Sequence, residues 1–207
     1  MSKAAYKTTI KSGGVSTAFV DEATSALGGN TFQITDLARQ VLDRNVAVVV
    51  YDDGDVVIPS SIDYLFGIIT LAGAANGDIT VDANYIPLGS VGGSMEYSLD
   101  IGGDILDDTD FDKAGSNNGY RTKSYGLLDV AASISRYDDL AKTFKTHKQN
   151  RNEVFIEIKP GGGNDVARGW FVVETANSSG DIGSLETEDL QFNLSDTNGK
   201  SFSFRTI

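Results

Sequence analysis

Five aspartates stand within nine positions of this chain, at Asp104, Asp107, Asp108, Asp110 and Asp112. Clustered carboxylates can bind calcium, and from Asp108 onward the alternate spacing matches the start of an EF-hand loop. The match fails at the sixth position, which is Lys113 where the loop needs glycine, and at the twelfth, which is Gly119 where it needs glutamate. We therefore predict no metal site, and expect a long solvated acidic loop over residues 104–121.

Other residues that could carry out catalysis are scarce or unspecific. The chain has no cysteine and a single histidine, His147, so thiol chemistry is excluded and a histidine-based proton relay is disfavoured. With 29 acidic residues some carboxylate pair is always available, which makes a glycosidase-type pair uninformative. The glycine-rich stretch 160–165 lacks the residues of a phosphate-binding loop and favours a hairpin turn. We predict no catalytic residue, no cofactor and no enzymatic activity.

A basic group follows on a predicted helix near residues 138–150. It consists of Lys142, Lys145, Lys148 and Arg151, which load the C-terminal half of that helix with positive charge. The helix dipole favours cations at that end. Two interpretations stay open: a solvated helix face, or an electrostatic partner for the acidic segment of a neighbouring copy.

Most of the elements that would position these groups are predicted strands. Asp53-Gly54 lies between two apolar runs and predicts a tight hairpin. Residues 78–88 and 94–101 alternate between apolar and polar side chains, as half-buried strands do. Residues 63–73 predict a buried strand with a kink at Gly67. Residues 125–139 fit both periods, but a strand keeps the polar face cleaner, and we predict a strand there.

The spacing of these segments predicts about seven to nine strands and one main helix. We expect a mainly β fold, an antiparallel sandwich or barrel with one flanking α-helix. The expected organisation is a single domain over residues 1–207, with a candidate N-terminal arm at 1–14 and the acidic loop at 104–121.

The net charge of −12 is concentrated in one segment. From Val46 to Asp112 the chain has thirteen acidic residues and no lysine or arginine. Tight binding of duplex DNA needs lysine and arginine to displace counterions from phosphate. The charge pattern therefore disfavours a DNA-binding protein.

The series of segments resembles the major tail tube proteins of long-tailed bacteriophages. In the N-terminal half the resemblance lies in ITDLARQVLDRNVAVVVYDDG, DYLFGIITL and NYIPL. In the C-terminal half it lies in DDTDFDKAGSNNGYRTKSYGLLDVAASISRYDD and ARGWFVVETANSSGDIGSLETEDLQFNLS. None of these segments is catalytic, and the resemblance rests on their order and spacing.

This resemblance implies a tail tube-like β-sandwich that assembles into hexameric rings. The rings stack into a hollow tube through which phage DNA is ejected without specific binding. The implied partners are further copies of the chain, a tape measure protein, a tail terminator and tail-tip proteins, with no membrane. The implied location is the virion tail, after assembly in the host cytoplasm.

A tube that conducts DNA needs a bore that repels phosphate, and three acids that alternate with apolar residues are our lumen candidates: Asp82, Glu96 and Asp100. The inter-subunit candidates combine the acidic loop with the basic helix: Asp104, Asp107, Asp108, Asp110, Asp112, Lys142, Lys145, Lys148 and Arg151. The alternative is a monomeric carbohydrate-binding or adhesin-like β-sandwich, with calcium bound in the loop Asp104–Asp112.

Overall fold

The computed structural model describes residues 8–92, 94–107, 123–137, 143–161, 164–182, 185–195 and 202–206. Its strands, in chain order, are β1 Thr9–Gly13, β2 Thr17–Gly28, β3 Thr31–Ile34, β4 Val49–Asp52, β5 Asp55–Val57, β6 Pro59–Asp63, β7 Ile68–Leu71, β8 Ile79–Tyr85, β9 Leu88–Ser90, β10 Ser94–Asp107, β11 Lys123–Tyr137, β12 Glu153–Lys159, β13 Asp165–Ser179, β14 Thr187–Leu194 and β15 Phe202–Thr206. The helices are a 3-10 turn at Leu37–Arg39 and α1 at Thr143–Asn150.

The chain divides into two compact units. The first contains Met1–Val91, Val154–Phe171 and Ser195–Ile207, and the second contains Gly92–Glu153 and Val172–Leu194. Strand β13 contributes its first half to one unit and its second half to the other. The expectation of one domain over residues 1–207 stays a prediction.

The first unit contains a seven-stranded antiparallel sheet in the order β5-β4-β8-β2-β3-β7-β6. Only Ile58 separates β5 from β6, so the two ends of the sheet are joined by a single residue and the sheet must curl. The predicted hairpin joins β4 to β5, with positive φ at both Asp53 (52°) and Gly54 (87°), as its turn type requires. The curled sheet encloses its own apolar core, formed by Phe19, Ile34, Leu42, Val50, Ile69, Leu71, Ile79, Val81 and Ala83.

A second sheet of the first unit has the strand order β9-β1-β12, followed by the first half of β13. Strand β13 also pairs with β15. Residues 9–13 of the candidate N-terminal arm thus form β1, which pairs with both neighbours. Under this sheet lies a second core of Val41, Leu65, Phe66, Ile68, Ile86, Phe155 and Trp170. The rings of Phe155 and Trp170 meet edge to face at 5.3 Å between centroids.

The second unit is built on β10, β11, β14 and the second half of β13, in that order. The strand predicted over 125–139 is confirmed as β11, and the helix predicted after it is confirmed as α1. Phe144 is the buried residue of α1, and its ring lies edge to face against Phe192 of β14 at 5.5 Å. The helix therefore packs on one face of this sheet.

The mainly antiparallel β fold with one α-helix is confirmed in the part of the chain that the structure describes. The estimate of seven to nine strands is wrong, because the described residues alone form fifteen. The strand predicted over 63–73 is shorter than expected. Asp63 is the last residue of β6, and residues 64–67 form the turn that joins β6 to β7. Gly67, with a φ of 59°, is the last residue of this turn, so the strand begins only at Ile68. A Cβ at Gly67 would lie 2.8 Å from the carbonyl oxygen of Gln40, which leaves room for glycine alone.

Candidate functional site

Acidic, neutral polar and small side chains predominate on one face of the second unit's sheet among the residues described there, although the exposed Tyr137 lies on the same side. We call it the acidic face, and its polar and small members are Glu96, Ser98, Asp100, Asp129, Ala131, Ser133, Ser135, Glu174, Asp189, Gln191 and Asn193. Strand pairing brings these residues together, since Glu96 lies opposite Ser135 and Ser135 lies opposite Asp189. Two positions further along, Ser98 lies opposite Ser133, and Ser133 opposite Gln191.

Neutral donors hold the carboxylates of the acidic face. The Ser135 hydroxyl donates to Asp189 Oδ1 at 2.5 Å, and the Asn193 amide donates to Glu174 Oε2 at 3.1 Å. The hydroxyls of Ser98 and Ser133 are 2.8 Å apart. Hydroxyl and amide donors leave the negative charge in place, whereas a lysine or arginine would neutralise it. Among the described residues no lysine or arginine pairs with these carboxylates, so this part of the face presents net negative charge to solvent.

The opposite face of the same strands is apolar and buried. Its side chains include Val130, Ala132, Ile134, Leu190 and Phe192, none more than 3% exposed. Period-two alternation alone produces this separation, because successive side chains of a strand point to opposite faces. Since α1 packs on the apolar face, it leaves the acidic face uncovered.

A buried ion pair also lies on the apolar side. Arg136 donates through Nε and Nη2 to Glu188 Oε2, at 2.9 and 2.6 Å. The Arg136 guanidinium lies 4.8 Å from the centre of the Phe144 ring, so this pair also helps to dock α1. The one arginine described on β11 is thus directed into the unit and away from the acidic face.

Two of the three lumen candidates belong to the acidic face. Glu96 and Asp100 are exposed and lie on the same side of β10. The third, Asp82, lies in β8 of the first unit, where its carboxylate accepts hydrogen bonds from the Asp21 amide at 2.8 Å and the Tyr51 hydroxyl at 3.1 Å. The hydrogen bond to Asp82 raises the pKa of Tyr51. The structure does not group Asp82 with the other two.

Three further carboxylates of the acidic face escaped the sequence analysis: Asp129, Glu174 and Asp189. The signal for Asp189 was present, because Leu190 and Phe192 alternate with Gln191 and Asn193. Extending that period back by one step places Glu188 inside and Asp189 outside. Glu174 could not be found in this way, because it follows the long apolar run 170–173.

The inter-subunit candidates are only partly described. Lys145 on α1 donates to the Ser178 hydroxyl, while Lys148 and Arg151 are exposed. Asp104 and Asp107 belong to the C-terminal part of β10. Asp108, Asp110, Asp112 and Lys142 lie outside the described residues, as does the acidic loop from residue 108 onward.

Within the described segments, the other side chains that could act in catalysis or bind a metal do not cluster into a site. His147 lies on α1, and burial lowers the pKa of its imidazole. No group of three or more His, Cys, Asp or Glu side chains that could hold a metal ion is found among the described residues. No described helix is both long enough and apolar enough to cross a membrane.

Several chains of solved structures are partly similar to this one. No family model matches the sequence, and no curated protein matches it. A chain from the tail of an empty GTA particle, computed with helical refinement and C6 symmetry, is similar over 57% of this chain and 87% of that chain, at 12% identity and a TM-score of 0.48. A chain from the virion of the native gene transfer agent (GTA) particle is similar over 57% and 88%, at 12% identity and a TM-score of 0.45.

Proposed function

We propose that this chain is a structural protein of a phage-like virion tail. Its copies assemble into hexameric rings, and the rings stack into a hollow tube through which DNA is ejected. Two features support the proposal. The sequence resembles tail tube proteins in the order of its segments, and the structure has an exposed sheet face whose described side chains include five carboxylates and no lysine or arginine.

The acidic face is the observation that carries the proposal. Duplex DNA has one negative charge per about 1.7 Å of its axis. A wall with lysine or arginine would bind phosphate in every ring and stall the DNA. The carboxylates Glu96, Asp100 and Asp189 repel phosphate, and the hydroxyls of Ser98 and Ser133 keep the surface hydrated. A tube lined by this face would let DNA pass without holding it.

Ring assembly also requires free strand edges, and β10 provides one. It stands at the end of its sheet in the described part of the chain. Its apolar side chains Met95 and Ile101 are about half exposed, at 50% and 53%. Exposed edges pair readily with strands of other chains. Pairing between copies at β10 would bury these residues and join the acidic faces of neighbours into one continuous wall.

The remaining assignments follow from the resemblance alone. In a virion tail the tube would contact a tape measure protein in its bore, and a tail terminator and tail-tip proteins at its ends. Assembly would take place in the host cytoplasm. In addition, the charge of Lys145 and Lys148 on α1, and of Arg151 directly after it, suits a contact with an acidic surface of a neighbouring copy.

A charge reversal on the acidic face tests this function. The variant Glu96→Lys/Asp100→Lys should assemble but retain duplex DNA at low ionic strength, whereas the unchanged protein should not. Retention is measured by sedimenting assembled protein with labelled DNA. The matched control is Asp55→Lys/Asp78→Lys, which changes the net charge equally at two exposed positions of the first unit.

The control separates the acidic face from the overall charge. We expect DNA retention with the first variant only, decreasing steeply as salt is added. Equal retention by both variants would show that net charge alone matters, and would contradict a bore lined by the acidic face. No retention by either would contradict it as well.

A further inference from the structure

The described residues of the first unit line a cleft of about 410 Å³. Its walls include the apolar side chains Leu37, Pro87 and Leu88, together with Lys11 and Lys159. Leu37 is 73% exposed, although it is a large aliphatic residue. An apolar cleft bordered by lysines is suited to an apolar ligand that also carries negative charge.

The electrostatic balance of this cleft is positive. Its one carboxylate among the described lining residues, Glu157, is buried and already bound by Arg168 at 2.8 Å and Lys11 at 3.2 Å. Arg168 donates in addition to the Leu65 carbonyl at 2.9 Å. These contacts hold Glu157 in place and leave Lys159 as a half-exposed cation at the cleft.

A matching feature lies in the second unit, at the connection between β13 and β14. Ile182 is fully exposed, Leu185 is 70% exposed, and the neighbouring Glu186 is exposed as well. We call these three residues the hairpin tip. Two aliphatic side chains exposed at one connection form a small apolar patch that a contact with another molecule would cover.

We infer that the hairpin tip of one copy inserts into the cleft of another. Ile182 and Leu185 would cover the apolar wall formed by Leu37 and Leu88, and the Glu186 carboxylate would pair with Lys159. A contact between two different surfaces of one chain does not close on itself as a two-fold contact does, so it extends a ring or a stack of rings. The inference rests on the proposed function in one respect, that copies of the chain associate.

Cross-linking tests the contact, because the chain has no native cysteine. Leu37→Cys and Leu185→Cys are made in separate chains, mixed at a concentration that supports assembly, and oxidised mildly. We expect a disulfide between position 37 of one chain and position 185 of the other, identified by mass spectrometry. The control mixture replaces Leu37→Cys by Val20→Cys, a position with similar exposure, 70%, outside the cleft.

The outcomes separate the contact from the proposed function. A 37–185 cross-link well above the control supports the inference. Assembled particles without that cross-link overturn it and leave the proposed function standing, with the cleft open to a different tail protein. Absence of any higher-order assembly, in the unchanged protein as in the variants, contradicts the proposed function and the contact together.

A charge exchange provides an independent measurement. Lys159→Glu and Glu186→Lys should each raise the concentration needed for assembly about two- to five-fold, as expected for one exposed ion pair. The double variant restores opposite charges and should return near the original concentration. If the double variant is as impaired as the two single changes combined, the two residues do not meet and the inference is wrong.

Discussion

Two arginines of this protein are buried in ion pairs, whereas the carboxylates of the acidic face are exposed. Arg136 and Arg168 are directed into their units, where each binds a buried glutamate. The carboxylates of the acidic face, in contrast, are exposed and bound only by hydroxyl and amide groups where a partner is described. A buried charge without its partner is costly, whereas an exposed carboxylate costs little. The buried pairs should therefore govern stability, and the exposed acids should govern what the surface repels.

The pair Arg136–Glu188 gives a stability prediction. Glu188 is fully buried and the Arg136 side chain is 4% exposed. Glu188→Gln leaves a buried guanidinium without its counter-charge, so we expect unfolding to become easier by about 3–5 kcal/mol, measured by urea titration.

A compensating variant serves as its control. Arg136→Met/Glu188→Leu removes both charges and should recover most of the loss. If Glu188→Gln has no measurable effect, the buried ion pair is not important for stability.

Asp52 provides a prediction on pH. The backbone amide of Asn76 donates to its carboxylate, and the Gly77 amide and the Asn76 side chain donate as well. These hydrogen bonds, the Asn76 amide first, lower the pKa of Asp52. The stabilisation is therefore complete above the ordinary aspartate pKa of about 3.9 and is lost as the pH falls through the lower folded-state value.

The pH dependence of this stabilisation is tested by comparing the melting temperatures of the native protein and the Asp52→Asn variant. The difference should be largest near pH 6 and should shrink as the pH falls below about 4. Asp53→Asn, at the exposed neighbouring position, should show no such change. A difference that grows towards low pH would have the wrong sign and would contradict the assignment.

Strands with alternating polar and apolar side chains could be predicted from the sequence, whereas strands exposed on both sides could not. Strand β11 was recognisable because its polar and apolar residues alternate, and the same alternation produces the acidic face. Strand β2, with twelve residues, was missed because Phe19 is its one buried side chain and Asp21, with a φ of 50°, interrupts its register. A strand exposed on both sides has no period for sequence analysis to find.

Pairing between distant segments was likewise beyond prediction from sequence. Glu96, Ser135 and Asp189 meet because β10, β11 and β14 are neighbours, and that order depends on tertiary packing. Only Glu96 and Asp100 were identified beforehand among the carboxylates of this face. The resemblance to tail tube proteins predicted that some acidic residues would line a channel. The register of the strands determines which residues lie together on the acidic face.

The C-terminal end of α1 has a cap in which an arginine adopts a left-handed conformation. The amide of Asn152 bonds the carbonyl of His147 at 3.0 Å, and that of Arg151 bonds the carbonyl of Lys148 at 3.2 Å. This is a Schellman cap, in which glycine usually occupies the left-handed position. Here Arg151 occupies it, with a φ of 54°.

Arg151→Gly should therefore stabilise the protein by about 0.5–1 kcal/mol, because glycine adopts this conformation without strain. The measurement is a urea titration of the unassembled protein. Arg151→Ala removes the same charge but keeps the strain, and should give no gain. If the two substitutions have equal effects, charge and not backbone strain determines the stability at this position.

Across the whole molecule, three surface features are relevant to the proposed assembly, and each is formed by several residues. The second unit has an acidic face, its sheet ends at the exposed edge of β10, and a cleft and a hairpin tip offer complementary surfaces to further copies. The net charge of −12 would keep free copies apart before the proposed assembly. Together these features suit the proposed function of a subunit that acts in an assembled state.

The most direct measurement is a cryo-electron microscopy reconstruction of the purified protein after concentration. We predict hollow rings or tubes in which Glu96, Asp100 and Asp189 line the central channel and β10 pairs with a neighbouring copy. Monomers at every concentration, or an assembly whose acidic face lies on its outer surface, would contradict it.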